Sequence, residues 1–348
     1  MESNLDKEKL IKIINERLLP FVRKIDEEAF YPEEFLNKVG HSGFFTSSTL
    51  DEIKIRIREL ELIEETAKVC MTTAFLLWCH LGTLASVRLS KNSYIKNELL
   101  PLLERGEIFG GTGLSNALKY YAGIETIRLK AERTDGGFNI SGNLPNVSNL
   151  GDNHWVVIIA SVNDHKRVMC LLPVNIEGLV LERKINFIAL NGSATYSCDF
   201  HNVFVPDKWV ITEEADEFIE QVRPTLAFYQ IPLGLGVSNA SINQIEKTYE
   251  LNLGAHEKLT PQPKELINDV QYIRNKISEY TELTDLTAVC KDLLLTRLEV
   301  VKLTLKVVHA DMLYSAGQAF IEGSDSFRRL REGYFLLNLT PTVKQLEN

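Results

Sequence analysis

The spacing of apolar residues changes twice along this chain, and these two changes constrain its fold more than any other feature. Residues 1–107 repeat their apolar positions with helical spacing, and the run AKVCMTTAFLLWCHLGTLASV is apolar almost all round, which is typical of a buried helix. Residues 108–212 contain short alternating runs such as GFNISG and HWVVIIASV, separated by Gly, Asn and Asp turns. Helical spacing returns over residues 213–348. The sequence therefore predicts an α+β chain with an N-terminal helical domain, a central antiparallel β-barrel domain and a C-terminal four-helix bundle.

Helical spacing in the last part of the chain falls into separate long segments. They cover residues 219–251, 263–280, 282–320 and about 325–339. Long helices of this kind bury their apolar faces against one another, so we expect a bundle. Residues 283–320 are apolar on more than one face, which favours burial against a second subunit as well.

The overall charge argues against two classes of partner. The chain has 348 residues with a formal net charge of -9, and 45% of them are hydrophobic. Proteins that bind nucleic acid or anionic membranes in general need clustered Lys and Arg. No apolar run reaches the ~20 residues needed to span a bilayer, and the start MESNLDKEKLIK has no apolar leader segment. We therefore expect a cytoplasmic protein that binds a small molecule, with no nucleic acid and no membrane as partner.

The five cysteines give no sign of a disulfide framework or a metal site. They are Cys70, Cys79, Cys170, Cys198 and Cys290. They form no CxxC pair and have no His at metal-ligand spacing. Free Cys usually behaves as a small buried hydrophobe, so we expect them in the core and no bound metal.

Several segments occur in an order that resembles one known family. They are IDEEAFYPEEFLNKVGHSGFF, GTGLSN, RLKAERTDGGFNISG, NVSNLGDNHW, NGSATYSCDFHNVFVP, PLGLGVSNASI and AGQAFIEGSDSFRRLREG. Together with the order of helices, barrel and helices, they resemble the acyl-CoA dehydrogenase superfamily over nearly the whole chain. The resemblance implies an acyl-CoA dehydrogenase-like fold and a flavin held between the barrel and the C-terminal bundle. It also implies a homodimer or homotetramer.

Two glycine-hinged loops carry side chains that the resemblance places beside the flavin. In GTGLSN, Ser115 matches the Thr that family members place at the pyrimidine edge, with Gly113 and Leu114 giving backbone contacts. In NVSN, Asn146 takes the position of the family's ring-side Trp, and Ser148 takes that of a Thr near N5. A flavin's polar edge seeks hydrogen bonds, which hydroxyl groups can supply. The alternative is that both serines are only turn residues between strands.

Two departures from the family concern the phosphate end of the cofactor. ALKYYAG stands where the family has a glycine-rich acidic stretch that receives a pyrophosphate, leaving Lys119, Tyr120 or Tyr121 as candidate phosphate contacts. ELNLGAH stands where the family has an Arg-x-x-Phe-Gly segment that reaches the dinucleotide of a neighbouring subunit. The resemblance therefore implies a flavin, either FAD, which is usual in the family, or FMN.

The usual catalytic Glu of the family is absent. The resemblance places Thr340 at its position, and at the alternative position used by some members it places Pro224 or Thr225. None of these can remove a carbon-bound proton near neutral pH, because an unactivated hydroxyl titrates far too high. Of the titratable residues nearby, we expect Glu332 on the exposed face of a helix, paired with Arg328. We assign no catalytic role to Glu332 or to Tyr334.

Three functions remain open at this level. The first is an acyl-CoA dehydrogenase-like flavoprotein oxidoreductase that acts on a small molecule or a carrier-bound acyl thioester, with an electron-transfer partner. The second is a reduced-flavin-dependent monooxygenase supplied by a flavin reductase, which the missing Glu favours. The third is a non-catalytic binding or assembly protein.

In the monooxygenase hypothesis, His80 or Ser148 is the candidate hydrogen-bond donor beside the ring. His80 lies in the apolar stretch LLWCHLGT. The alternative for His80 is a buried neutral histidine bonded to a backbone carbonyl. Its neighbours Trp78 and Cys79 are expected in the core.

Overall fold

The computed structural model describes residues 2–251 and 253–347, and its first part is helical. The helices are α1 (Glu2–Arg17), α2 (Val22–Glu27), α3 (Glu33–His41), α4 (Glu52–Val69), α5 (Met71–Leu89) and α6 (Leu100–Arg105). Asp51 caps α4, because its carboxylate accepts a hydrogen bond from the backbone N–H of Lys54 at 2.8 Å. Helix α5 is buried along nearly its whole length, as its all-round apolar sequence predicts.

The middle of the chain forms one sheet with a short helix inserted. The elements are β1 (Phe109–Thr112), α7 (Ser115–Tyr121), β2 (Lys130–Thr134), β3 (Gly137–Val147), β4 (His154–Asn163), β5 (Lys166–Pro173), β6 (Leu179–Lys184), β7 (Thr195–Pro206) and β8 (Val210–Thr212). The strand order is β6-β7-β3-β2-β4-β5-β8, and β1 pairs with β4. Most pairs are antiparallel, as predicted, but β4 pairs with β1 and β2 in parallel. The sheet is mixed because the chain crosses over through α7 and β2–β3 before it returns alongside β1.

Strand β3 bends, and the bend carries its end toward the cavity described below. Its pairing with β7 shifts between Ile140 and Gly142 and again between Leu144 and Val147. Gly142 has φ +134°, and a Cβ there would lie 2.3 Å from the carbonyl oxygen of Arg128. Glycine therefore permits the local geometry, and irregularities of this kind bend a strand.

The buried apolar residues form two clusters. The larger runs from Leu10 to Leu339 and includes both helical parts of the chain, and the smaller lies within the sheet. Four of the five cysteines are buried, as predicted, whereas Cys290 is half-buried. Burial raises the pKa of the Cys79 thiol to about 12, which suits an inert core residue.

The last part of the chain is helical again. Its helices are α8 (Ala215–Phe228), α9 (Ile231–Leu251), α10 (Leu253–His256), α11 (Pro263–Thr281), α12 (Cys290–Ser315), α13 (Asp325–Phe335) and α14 (Val343–Leu346). The predicted helix 219–251 is two helices, because Pro232 lacks an N–H group and lies in the first turn of α9, where that donor has no helical partner. The predicted helix 282–320 begins only at Cys290 and ends at Ser315.

Helices α9 and α12 contact each other, and both contact α8 and α11, so these four helices form the bundle. The domain boundaries 1–107, 108–212 and 213–348 stay a prediction. Among the described residues, no helix is both long enough and apolar enough to cross a membrane.

Candidate functional site

The two glycine-hinged loops meet in the structure. A Cβ on Gly111 would lie 2.7 Å from the carbonyl oxygen of Ser148 and 2.6 Å from Leu150 Cδ2, so only glycine allows the loops to come this close. Asn149 joins them, because its side-chain amide donates to the carbonyl oxygen of Gly110 at 2.9 Å. Asn149 adopts φ +63°, a left-handed conformation that Asn tolerates better than most residues. After β3, the chain thus comes back into contact with β1.

A cavity of about 510 Å³ lies beside the meeting point of the loops. Four of the six predicted site residues line it: Leu114, Ser115, Asn146 and Ser148. Helix α5, the end of α13, residues 337–340 after it and the loop between β6 and β7 supply most of its other walls. This volume falls within the range of small-molecule and cofactor sites.

Paired hydroxyl groups face the cavity from both loops. Ser115 Oγ lies 2.8 Å from Thr340 Oγ1. Ser148 Oγ lies 2.7 Å from Thr195 Oγ1, which lies 2.8 Å from Ser193 Oγ. Each hydroxyl has one donor and two acceptor positions, so these pairs keep capacity for a ligand. The donor set fits the polar edge of an isoalloxazine ring.

An aromatic wall of the cavity escaped the sequence prediction. Phe75 stacks on Trp78 with ring centroids 5.6 Å apart, and Phe335 meets Phe75 edge-on at 5.0 Å. Trp78 Nε1 donates to the carbonyl oxygen of Leu226 at 3.0 Å, which fixes its ring. These aromatic residues come from α5 and α13, whereas the resemblance places the family's Trp at the position of Asn146. The only signal in the sequence is the spacing of Phe75 and Trp78, which share one face of α5.

Gly113 lies behind the cavity wall. Its N–H donates to the carbonyl oxygen of Val157 at 2.8 Å, which extends the pairing of β1 with β4. A Cβ there would lie 2.9 Å from Leu144 Cδ1. The backbone N–H that was expected to contact the flavin is therefore used within the sheet.

His80 also lies outside the lining of the cavity. Its Nδ1 accepts a hydrogen bond from the backbone N–H of Gly110 at 3.1 Å, so Nε2 carries the proton and donates to the carbonyl oxygen of Leu103 at 3.1 Å. Burial lowers the pKa of His80 to about 3. The geometry therefore favours the alternative in which His80 is a neutral residue that anchors β1.

The ionisable residues that line the cavity are Lys119, Arg331 and Tyr334. Among the described residues, no Asp or Glu lines it. Thr340, which the resemblance places at the position of the catalytic Glu, does line it and is 6% exposed. The cavity thus lacks a carboxylate that could serve as a base.

A buried polar network fixes the segment that carries Thr340. Gln230 Nε2 donates to the carbonyl oxygen of Thr340 at 2.8 Å, and Arg297 Nε donates to Gln230 Oε1 at 2.9 Å. Arg297 Nη2 also donates to the carbonyl oxygens of Leu336 and Leu339. Burial lowers the pKa of Arg297 to about 10, so the side chain remains a cation at neutral pH.

The expectation that Glu332 is exposed was wrong, although its expected partner was right. Glu332 is 1% exposed, and its Oε2 accepts from Arg328 Nη1 at 2.9 Å. Its Oε1 accepts from the backbone N–H of Thr72 at 3.3 Å, at the start of α5. Burial raises the pKa of Glu332. The charged face of α13 points into the protein because each buried charge there finds an opposite charge, as Arg329 does with Asp311 at 2.8 Å.

The comparisons with curated proteins agree with this architecture. Benzylmalonyl-CoA dehydrogenase of Aromatoleum aromaticum is 24% identical over 238 residues, which cover 66% of this chain and 63% of that protein. A probable acyl-CoA dehydrogenase of Mycobacterium tuberculosis, FadE25, is 21% identical over 245 residues, covering 66% and 62%. The matched region thus spans less than two thirds of these relatives. No protein-family model matches the chain.

Solved structures match nearly the whole chain. An acyl-CoA dehydrogenase from Geobacillus kaustophilus gives a TM-score of 0.88 at 13% identity, covering 99% of this chain and 96% of that one. A glutaryl-CoA dehydrogenase from Mycobacterium smegmatis in complex with FADH2 gives 0.76 at 15% identity, covering 98% and 92%. The prolyl acyl carrier protein oxidase AnaB gives 0.82 at 12% identity, covering 98% and 95%.

These matches establish the acyl-CoA dehydrogenase fold and confirm the predicted α+β class. The curated relatives, which are named as a CoA-ester dehydrogenase and a probable acyl-CoA dehydrogenase, are similar to this chain over 66% of its length.

Proposed function

We propose that this chain is a flavin-dependent oxidoreductase of the acyl-CoA dehydrogenase type that acts on an acyl thioester. The observation that carries the proposal is the convergence of two hydroxyl-bearing loops on one cavity with an aromatic wall. Such a cavity matches a flat ring with one polar edge. Ser115 and Ser148 would bond that edge, and Phe75 and Trp78 would face the ring and exclude water.

The similar proteins support the kind of cofactor and substrate. One is named as a dehydrogenase of a CoA ester, one as an oxidase of an acyl carrier protein substrate, and one was solved with FADH2. We therefore propose FAD as the flavin, and a CoA-bound or carrier-bound acyl group as the substrate. An electron-transfer protein or a flavin reductase would be the redox partner, and a homo-oligomer the assembly.

The chain's own residues limit the reaction. A bound flavin supplies the capacity to accept or donate electrons at its ring. The hydroxyls of Ser115 and Thr340 can donate or accept hydrogen bonds, but neither can take a proton from carbon near neutral pH. The protein would therefore orient the flavin and substrate without supplying a carboxylate base.

This limit favours a second candidate, a monooxygenase that uses reduced flavin. That reaction needs a dry pocket and a positioned donor, and it needs no carboxylate at the position of Thr340. Ser148 remains the candidate donor, because His80 uses both ring nitrogens elsewhere. A non-catalytic binding protein is the third candidate.

The test is the absorbance spectrum of the purified protein, followed by titration with oxidised and reduced FAD and FMN. We expect Ser115→Ala and Ser148→Ala each to weaken flavin binding by roughly two- to tenfold, the effect of one lost hydrogen bond. Ser161→Ala, on the far part of β4, is the matched control and should bind as the wild type does. Oxidised flavin bound with thioester-dependent bleaching supports the dehydrogenase, and preference for reduced flavin with oxygen consumption supports the monooxygenase. The absence of binding to any flavin would overturn both.

A further inference from the structure

Arg297 on α12 is a cation buried directly behind one wall of the cavity. It is 1% exposed. Its Nη2 donates to the carbonyl oxygens of Leu336 at 2.9 Å and of Leu339 at 2.7 Å. Its Nε donates to Gln230 Oε1, and Gln230 in turn donates to the carbonyl oxygen of Thr340. Because Leu339 and Thr340 line the cavity, the guanidinium group is in contact with the segment that forms this wall.

The positive charge of Arg297 is not offset by a carboxylate. Its acceptors are one amide and two carbonyl groups, and among the described residues its Nη1 has no hydrogen-bond partner. Burial, without a contribution from a neighbouring charge, lowers its pKa to about 10. By contrast, the buried Arg329 of α13 pairs with Asp311 at 2.8 Å. Of the segment ELNLGAH, residue 252 lies outside the described residues.

The cations that line the cavity are each paired with a carboxylate. Lys119 Nζ lies 3.0 Å from Glu125 Oε1, and Arg331 Nη1 donates to Asp26 Oδ1 at 2.8 Å. No Asp or Glu among the described residues lines the cavity itself. The charge of Arg297 therefore acts on the cavity without an opposing charge on its walls, and a protein interior screens such a charge less than water does.

A charge beside a flavin is one of the means by which a protein tunes the ring. Reduction of the ring by two electrons and one proton adds one negative charge to it. These would arrive as a hydride from the acyl thioester, or from a reductase in the monooxygenase reaction. We infer that Arg297 is a positioning residue that holds the wall carrying Thr340 and whose charge favours reduced over oxidised flavin in the cavity. The inference rests on the proposed function.

The experiment measures the dissociation constants of the whole protein for oxidised and reduced FAD, and the reduction potential of the bound flavin. Arg297→Gln removes the charge. We expect it to lower the preference for reduced FAD by roughly tenfold, the effect of one unit charge over a distance on the order of 10 Å. Tenfold corresponds to a potential about 30 mV lower for a two-electron couple. Arg297→Lys keeps a cation at this position and should retain most of the preference.

Two further variants separate the effect of charge from that of packing. Gln230→Glu leaves Arg297 in place and sets a carboxylate against it. It should lower the potential as Arg297→Gln does, and it gives the result if the variants of Arg297 do not fold. The matched control is Arg56→Gln. Arg56 is also buried and donates to the carbonyl oxygens of Thr281 and Leu283, and none of these three residues lines the cavity. This variant should lose stability and keep the potential of the wild type.

Equal weakening of oxidised and reduced FAD by Arg297→Gln, with an unchanged potential, would overturn the inference, because a purely structural role affects both forms alike. A fall in potential as large in Arg297→Lys as in Arg297→Gln would also overturn it, since the lost hydrogen bonds would then be the cause. Either result leaves the proposed function intact. If neither form of FAD bound to the wild type, the proposed function itself would be refuted.

Discussion

At the scale of single residues, His80 shows how the core determines the chemistry of a titratable group. Its ring lies edge-on to Phe45 and Phe109, with centroids 4.5 Å and 5.1 Å away. Both ring nitrogens are bonded to backbone groups. A protonated ring would have no acceptor for its second N–H, so the folded protein holds His80 neutral.

This state makes stability depend on pH. In the unfolded chain His80 has the usual His pKa of 6.5 and is protonated below that pH. In the folded protein it stays neutral down to about pH 3. The free energy of unfolding should therefore fall as the pH falls, by about 2 kcal/mol between about pH 7 and pH 5 from His80 alone. His154, whose pKa burial also lowers, acts in the same direction.

Urea unfolding at both pH values measures the effect. His80→Gln should lose about 2 kcal/mol of the pH dependence, whereas His165→Gln, which removes an exposed imidazole, should keep it. If the His80 variant does not fold, the ring signals of His80 in the wild type give the same information by NMR. Titration of that ring near pH 6 would contradict the expectation.

The loop residues of the site could be predicted from the sequence, but the wall could not. Ser115 and Ser148 follow glycine-hinged turns that the resemblance aligns directly. Phe335 meets Phe75 only because the chain brings α13 back onto α5 across 260 positions of sequence, and no local pattern shows such a contact. The resemblance predicts the position of Thr340 but not its contact with Ser115, because the two residues lie 225 positions apart in sequence.

At the scale of elements, the N-terminus of α5 is capped by a residue of another helix. Cys70, at the N-cap position, makes no side-chain capping bond. Glu332 of α13 supplies an acceptor, because Oε1 receives the N–H and the hydroxyl of Thr72. A negative charge at a helix N-terminus is also favoured by the helix dipole. Glu332 thus stabilises α5 and neutralises Arg328 at the same time.

Removing this carboxylate should be costly. Glu332→Gln leaves Arg328 buried without its closest negative partner, and we expect a loss of about 3 to 5 kcal/mol in the free energy of unfolding. Asp325→Asn removes the other partner of Arg328, which is 3.1 Å away but 70% exposed, and should cost about 1 kcal/mol or less. Denaturant unfolding measures the loss of stability in both variants. Equal losses would contradict the expectation that the burial of Glu332 makes its removal more costly than that of Asp325.

Helix positions were easier to predict than helix ends. The long apolar segments all proved helical, because burial of one face favours a helix whatever lies at its ends. The break between α8 and α9 depends on Pro232, which the sequence shows but which can also lie inside a helix, as Pro224 does in α8. The parallel pairing of β1 with β4 depends on where the chain returns, and alternation of apolar residues does not show direction.

At the scale of the whole molecule, Arg331 joins parts of the chain that lie far apart in sequence. It lies on α13, and both of its terminal nitrogens donate hydrogen bonds to the carboxylate of Asp26 on α2. Its Nη1 also donates to the carbonyl oxygen of Ile188 at 2.8 Å, in the loop between β6 and β7. The two helical parts and the sheet therefore meet at the rim of the cavity.

A double-mutant cycle measures this junction. Asp26 is 7% and Arg331 20% exposed by side chain, so water screens the pair only in part. We expect Arg331→Met and Asp26→Asn to show a coupling free energy of about 1 to 3 kcal/mol in urea unfolding. The control cycle uses Arg23 and Glu27, an exposed pair on the same helix α2, which should show no measurable coupling. Since the junction borders the cavity, both junction variants should also weaken flavin binding. If flavin affinity stayed unchanged while the coupling free energy was fully present, the junction would stabilise the fold without determining the shape of the site.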